Sequence, residues 1–313
     1  MTNIFLNIDL FRIINEYTDL RSLCDTCILL VPHKKYINYI LNKEYSLMYY
    51  DDISFRNRVL SKIFNPNKQL CLDLSGCDKI TDVSVLGNIY ELDLIDCYNI
   101  TDVSALGNVH TLDLSGCDKI TDASALGNVY FLNLSRCCNI IDVSALGNVH
   151  VLDLSYCDKI TDVSALGNVY ELDLSRCKIT DVSALGNVNT LILICCTNIR
   201  NVSALENVYK LYLCGCNNII DVSALGKVYN LNLSCCNKIT DVSALGNVYN
   251  LNLSNCKNIT DISALGNVHT LDLSYCNKII DVSALSKVHT LYLNECENIT
   301  DVSALANVHL IKN

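Results

Sequence analysis

The sequence predicts an α/β solenoid, a stack of short rungs sharing one parallel β-sheet on a concave face. Short helical turns line the convex face, and a small helical module precedes the stack. Three observations predict it. One unit returns every 20 residues between Leu72 and Leu291. Within the unit two leucines flank one residue as LxL, the period-two signature of a strand with one buried face. Residues before about 67 lie outside the period and contain both prolines, Pro32 and Pro66. A fixed period overrides the domain count that 313 residues would suggest, because stacking extends a core instead of starting another. The expected organisation is 1–66, a helical module that caps the array, and 67–313, a solenoid of about twelve units.

The units begin at Leu72, Leu92, Leu112, Leu132, Leu152 and Leu172, then at Leu191, Leu211, Leu231, Leu251, Leu271 and Leu291. The one 19-residue step follows Leu172, where Cys177-Lys178-Ile179 has one residue between Cys and Ile and Cys157-Asp158-Lys159-Ile160 has two. The loop is expected to absorb the deletion. The unit reads LDLSxCDKITDVSALGNVxx, and across its junction VxxLxLxxC, which resembles the leucine-rich repeat with Cys at its Asn/Cys position. LxLSxCxxITD is similar to the cysteine-containing repeats of F-box proteins, and ITDVSALGNV to the short internalin-type repeat; the resemblance covers residues 70 to 311.

In such a unit Leu92 and Leu94 point inward and Asp93 is exposed. Cys97, Ile100, Val103, Ala105, Leu106 and Val109 are expected inside as well, with a spacing too irregular for one long helix. Asp102 is placed to cap a short helical turn through Val103 to Leu106, and Gly107 to end it in the left-handed conformation. Asn201 replaces Asp in one rung and can still cap. A single rung cannot offset its own backbone entropy, so stability belongs to the array. At the far end Val308 to Ile311 begins another strand, and the last core layer is expected to be partly open, a candidate for end-to-end association.

Half of the residues are apolar, but no run of eighteen lacks Asp, Asn, Ser or Lys, so no membrane span is expected. A formal charge of -10, spread along the chain, argues against binding a phosphate backbone, which needs a clustered positive face. Residues 1 to 9 show no secretory signal, so a cytoplasmic or nuclear location is expected. In that reducing setting the nineteen cysteines read as thiols.

Twelve cysteines form one column, among them Cys77, Cys117, Cys157, Cys196, Cys236 and Cys296, where the side chain turns in to satisfy loop backbone. Rungs about 4.8 Å apart would permit disulfides, but parallel side chains in the core argue for none. Cys138, Cys195, Cys214 and Cys235 are off the column. Cys24 and Cys27 share one face of an expected helix with no second ligand pair nearby, so core packing is favoured over zinc, and no cofactor is expected. His110, His150, His269, His289 and His309 share one position with Tyr90, Tyr130, Tyr170, Tyr209, Tyr229 and Tyr249. This column reads as aromatic stacking on the rim, or as a metal or partner surface; His110 and His150 stand two rungs apart, which disfavours joint ligation.

The middle position of LxL carries Asp73, Asp93, Asp113, Asn133, Asp153 and Asp173, an acidic stripe whose neighbouring carboxylates repel by roughly 1 kcal/mol per pair in water. Duplication alone explains it, or a basic partner does. The stripe breaks where the outward residues become Ile192, Ile194 and Cys195, then Lys210, Tyr212 and Cys214. That small apolar patch on a polar face is where a partner's anchor is expected, with drift in a duplicated array as the alternative.

At LNIDLFRIINEYTDLRSLCDTC the sequence resembles an F-box: Leu6, Asp9, Leu10 and Ile13 match its first helix, and Tyr17, Leu20, Leu23 and Cys24 the next segment. It departs at Asn7, where proline is usual, and the chain has no tryptophan. The resemblance implies docking on a Skp-family adaptor of a cullin ubiquitin ligase through Leu6, Leu10, Ile13 and Leu20, while the repeats select a protein for ubiquitination. Otherwise these helices only cap the first rung. An F-box-like segment joined to nearly uncorrected repeats rich in Asn, Ile and Tyr is similar to proteins encoded by giant viruses of amoebae. No Ser/His/Asp order, phosphate loop or unique carboxylate pair stands apart from the repeat, so a non-enzymatic protein-interaction scaffold is expected.

Overall fold

LxL is too short to form more than three or four residues of strand, and a row of such strands is stable only when each pairs on both sides. A computed structural model describes residues 39–63 and 65–311. Among them one 14-stranded parallel sheet runs in strict chain order. It starts with β1 (Tyr39–Leu41), β2 (Leu70–Asp73) and β3 (Glu91–Asp93), and continues through β14 (His309–Ile311). The register is repeat upon repeat: Leu72 pairs with Leu92, and Leu92 with Leu112. Across the 19-residue step Leu172 still pairs with Leu191, so the loop absorbs the deletion. The chain is a leucine-rich-repeat solenoid.

Leu92 and Leu94 are buried, as are Cys97, Ile100, Val103, Leu106 and Val109, and the equivalent residues of the other rungs continue one core along the stack. Two expected burial assignments change. Ala105 is only half-buried, because the return segment is a single 3-10 turn (Ser104–Leu106) whose three-residue period turns one side chain in per turn. Asp93 is half-buried and not fully exposed, because its carboxylate is drawn against the backbone amide of Ile95.

The turn starts at Ser104, one residue later than expected, with Val103 in its cap position, and Asp102 and Asn201 hold its entry from one residue further back: Ser104 N donates to Asp102 Oδ1 at 2.8 Å, and Ser203 N to Asn201 Oδ1 at 2.9 Å. Gly107 is not left-handed, with φ -61° and ψ -13°. Its role is close approach, since a Cβ there would stand 2.4 Å from the carbonyl oxygen of Ala125 in the next rung. The left-handed residue lies instead just before each ladder cysteine, as at Asp96 (φ 55°), Tyr156 (φ 64°) and Gly116 (φ 77°).

The first rung is covered by two helices, α1 (Lys43–Asp51) and α2 (Ile53–Lys62). Asn42 caps α1 through Tyr45 N, and Asp52 caps α2 through Ser54 N and Phe55 N. Tyr49, Phe55 and Ile63 join the solenoid core. Ser46 fastens this cover to the sheet, its hydroxyl donating to Leu41 O and accepting from Asp73 N, both at 3.1 Å. In the last described rung Val302 is 38% exposed and Leu310 half-buried. Leu6, Leu10, Ile13 and Leu20, with Cys24 and Cys27, lie outside the described residues.

Candidate functional site

The ladder cysteines are structural. Cys97, Cys117, Cys137 and Cys157 each donate S–H to a leucine carbonyl of the preceding rung at 3.2 Å, and the pattern runs on to Cys296. Burial pushes these thiols up, Cys157 and Cys256 to about 12 and Cys97 to about 11, so the column offers no nucleophile. A second ladder went unread in the sequence. Before each core isoleucine Asn and Lys partly alternate: Asn99 Nδ2 donates to Asp78 O at 2.7 Å, and Lys119 Nζ to Asn99 Oδ1 at 2.7 Å. Its signal was the exchange of Asn and Lys at one position, as in CDKI against CYNI.

The rim column is an aromatic stack, the first of its two expected readings. Tyr90, His110, Tyr130, His150 and Tyr170 form one run with neighbouring ring centroids 4.5 to 5.0 Å apart. Tyr209, Tyr229, Tyr249, His269 and His289 form another at 4.4 to 4.8 Å. Asn189 occupies the gap between them. Desolvation in its stack lowers the His110 pKa, so that ring prefers to be neutral. No group of three or more His, Cys, Asp or Glu among the described residues could hold a metal ion.

The acidic stripe has a local purpose. After each strand the chain must turn, and a side-chain oxygen two residues back can hold the first amide of that turn. Asp73, Asp93, Asp113, Asp153 and Asp173 each accept through Oδ1 from the backbone amide two residues on, at 2.7 to 3.0 Å. Asn133, Asn232, Asn252 and Asp272 do the same. This bond draws the carboxylate against the chain and leaves Asp93 half-buried. Desolvation, ahead of its neighbours' charge, raises the pKa of Asp93 and of Asp173.

Ile192 and Tyr212 offer no such acceptor. They are direct partners on β8 (Thr190–Ile192) and β9 (Lys210–Tyr212) and are both half-buried. Ile194, Cys195 and Cys214 beside them are half-buried too, while Lys210 is exposed. The structure therefore assembles the six residues singled out in the sequence on two adjacent rungs, with Cys195 N donating to Cys214 O at 2.8 Å. On one side the patch meets the Asp153 and Asp173 end of the stripe, and on the other the neutral Asn232 and Asn252.

Sequence reading also missed a cationic feature beside the stripe. Arg136, Tyr156 and Arg176 occupy the left-handed position in three consecutive rungs. The guanidinium carbons stand 5.7 and 5.1 Å from the Tyr156 ring centroid. Among the described residues the ion pairs are Lys178 with Asp158 and Lys227 with Glu206, so these two arginines are held by the ring.

The parallel sheet and its rungs define the fold as a leucine-rich-repeat solenoid. A family model described as leucine rich repeat matches residues 108–126, 148–166 and 168–185. Among solved structures, the chain is similar to an internalin of Listeria monocytogenes, InlF, at 21% identity and a TM-score of 0.47, covering 75% of this chain and 83% of that one. A leucine-rich-repeat protein of Leptospira interrogans is 16% identical with a TM-score of 0.46, covering 78% and 83%. The functional domain of InlJ from Listeria monocytogenes, which includes a cysteine ladder, is 19% identical with a TM-score of 0.42, covering 74% of this chain and 64% of that one. A search of the curated proteins finds no match.

Proposed function

We propose that this chain is a protein-interaction scaffold whose partner anchors an apolar side chain on Ile192, Ile194 and Tyr212 and sets basic residues over Asp153 and Asp173. The observation that carries the reading is the exchange of Asp or Asn for Ile192 and Tyr212 on adjacent strands. Each exchange forgoes a turn-holding hydrogen bond of about 1 kcal/mol and exposes apolar surface in its place. The leucine-rich-repeat fold supports protein partners in general. The finer reading is a substrate-recruiting adaptor of a cullin ubiquitin ligase, and its support is the F-box resemblance of residues 6–27, which implies Leu6, Leu10, Ile13 and Leu20 as contacts of a Skp-family adaptor.

One experiment tests both levels. Purified full chain is used to capture proteins from eukaryotic lysate, beside an Ile192→Asn/Tyr212→Asn variant and a Leu10→Asp/Leu20→Asp variant, each checked for folding by circular dichroism. The scaffold reading expects a partner lost only with the first variant, and the adaptor reading expects a Skp-family protein lost only with the second. A partner held equally by the first variant overturns the patch. A folded wild type that captures no Skp-family protein overturns the ligase link and leaves a plain scaffold.

A further inference from the structure

Seventeen cysteines fall among the described residues; thirteen are buried, and Cys138, Cys195, Cys214 and Cys235 are half-exposed. Three of these four lie on consecutive rungs, in the turn that follows the strand. The pairing of β9 with β10 (Asn230–Asn232) continues into that turn, where Gly215 N donates to Ser234 O at 2.9 Å. Cys214 and Cys235 thus sit one rung and one residue apart. Rungs about 4.8 Å apart and a Cα step of 3.8 Å give a diagonal of about 6 Å, inside the range that a disulfide spans. Burial pushes the Cys214 thiol up, and the Ser234 hydroxyl and the Cys235 and Cys195 thiols are the other groups that act on it. Gly215, the neighbour of Cys235 one rung back, puts no side chain between them, and a Cβ there would stand 3.1 Å from Cys195 Sγ. On the far side Asn255 Nδ2 donates to Cys235 Sγ at 3.3 Å.

We propose that Cys214 and Cys235 are a reversible disulfide site on the surface of the solenoid, oxidised by a low-molecular-weight disulfide of the glutathione class. Cys235, with Asn255 donating to its sulfur, loses its proton and attacks one sulfur of the small disulfide. The S–S bond breaks, a mixed disulfide forms on Cys235, and one small thiolate leaves. Cys214 then loses its proton and attacks the Cys235 sulfur, which forms the protein disulfide and expels the second small thiolate. The two departing thiolates take up the two protons, so two electrons pass from the protein thiols to the small disulfide. The bridge ties two adjacent rungs beside Tyr212, and its formation does not depend on any partner. The ladder thiols take no part because they are buried and bonded to carbonyls.

The test uses the reduced full chain at pH 8 in native buffer with oxidised glutathione, read by intact mass and by peptide mapping after alkylation of remaining thiols. The expected product is lighter by two hydrogens, links the Cys214 and Cys235 peptides, and reverts with dithiothreitol. Cys214→Ser should stop at a glutathione adduct on Cys235, and Cys138→Ser should leave the bridge unchanged, each variant matched to wild type by circular dichroism. Adducts that persist on both Cys214 and Cys235 of the wild type, a bridge that maps to Cys195 and Cys214, or a bridge that forms only in urea each overturn the proposal.

Discussion

Replacing Cys157 tests why one residue type fills the same core position in twelve rungs. Its sulfur is fully buried and donates to Leu134 O at 3.2 Å. That carbonyl also accepts from Cys137 N at 3.1 Å, so removing the thiol does not orphan it. Cys157→Ala therefore loses a weak hydrogen bond, about 0.5–1 kcal/mol, and the burial of a methyl-sized group, about 1 kcal/mol. The sum is about 2 kcal/mol at one rung. Cys157→Ser keeps a donor and loses part of the volume, so its cost should be about half as large. Both are read from urea unfolding followed by far-UV circular dichroism, with midpoints compared at unchanged slope. An alanine variant as stable as wild type, or a serine variant less stable than alanine, would refute the view that the column combines packing with a rung-to-rung hydrogen bond.

Four further outcomes follow from the same geometry. Cys157 at about 12 leaves a thiolate fraction of about 10⁻⁴ at pH 8, so a thiol reagent should label Cys138 in the native state and Cys157 only on unfolding; equal rates contradict the burial assignment. Asn189→Tyr should join the two aromatic runs and raise the urea midpoint, by about 0.5–1.5 kcal/mol for each new ring pair, and a lower midpoint would mean that the short rung has no room for the ring. Hydrogen bonds from Ser104, Ser144 and Ser164 hold Asp102, Asp142 and Asp162 below the usual carboxylate range. A depressed folded pKa contributes stability above the unfolded value near 4 and loses it as pH falls through the folded value. Asp→Asn at these three positions, as at natural Asn201, should flatten the acid limb of stability, and an unchanged limb would reassign acid lability elsewhere. Asp93 and Asp173 have the opposite sign, because a raised pKa favours the protonated fold and that contribution fades as pH rises through it. Ile192→Asn/Tyr212→Asn should keep or slightly raise stability while removing the anchor, since Asn232 and Asn252 show how Asn holds this turn; a loss above about 1 kcal/mol would make both residues part of the core.

The period alone determined the rung, the LxL strand, its register and the cysteine column, because every copy must bury the same face against its neighbour. It also located the break at Ile192 and Tyr212, since a departure from a repeat is visible without coordinates. Three things only the tertiary structure decided. Gly107 looked like a left-handed helix end, but the constraint is the Ala125 carbonyl of the next rung, a contact that no single unit contains. The stripe from Asp73 to Asp173 looked like an exposed charged face, yet each carboxylate is bound into its own turn, which depends on where the chain bends after the strand. The diagonal placement of Cys214 and Cys235 depends on rung spacing and on a one-residue offset. A sequence displays periodicity along the chain, but distances between rungs arise only when the rungs are stacked.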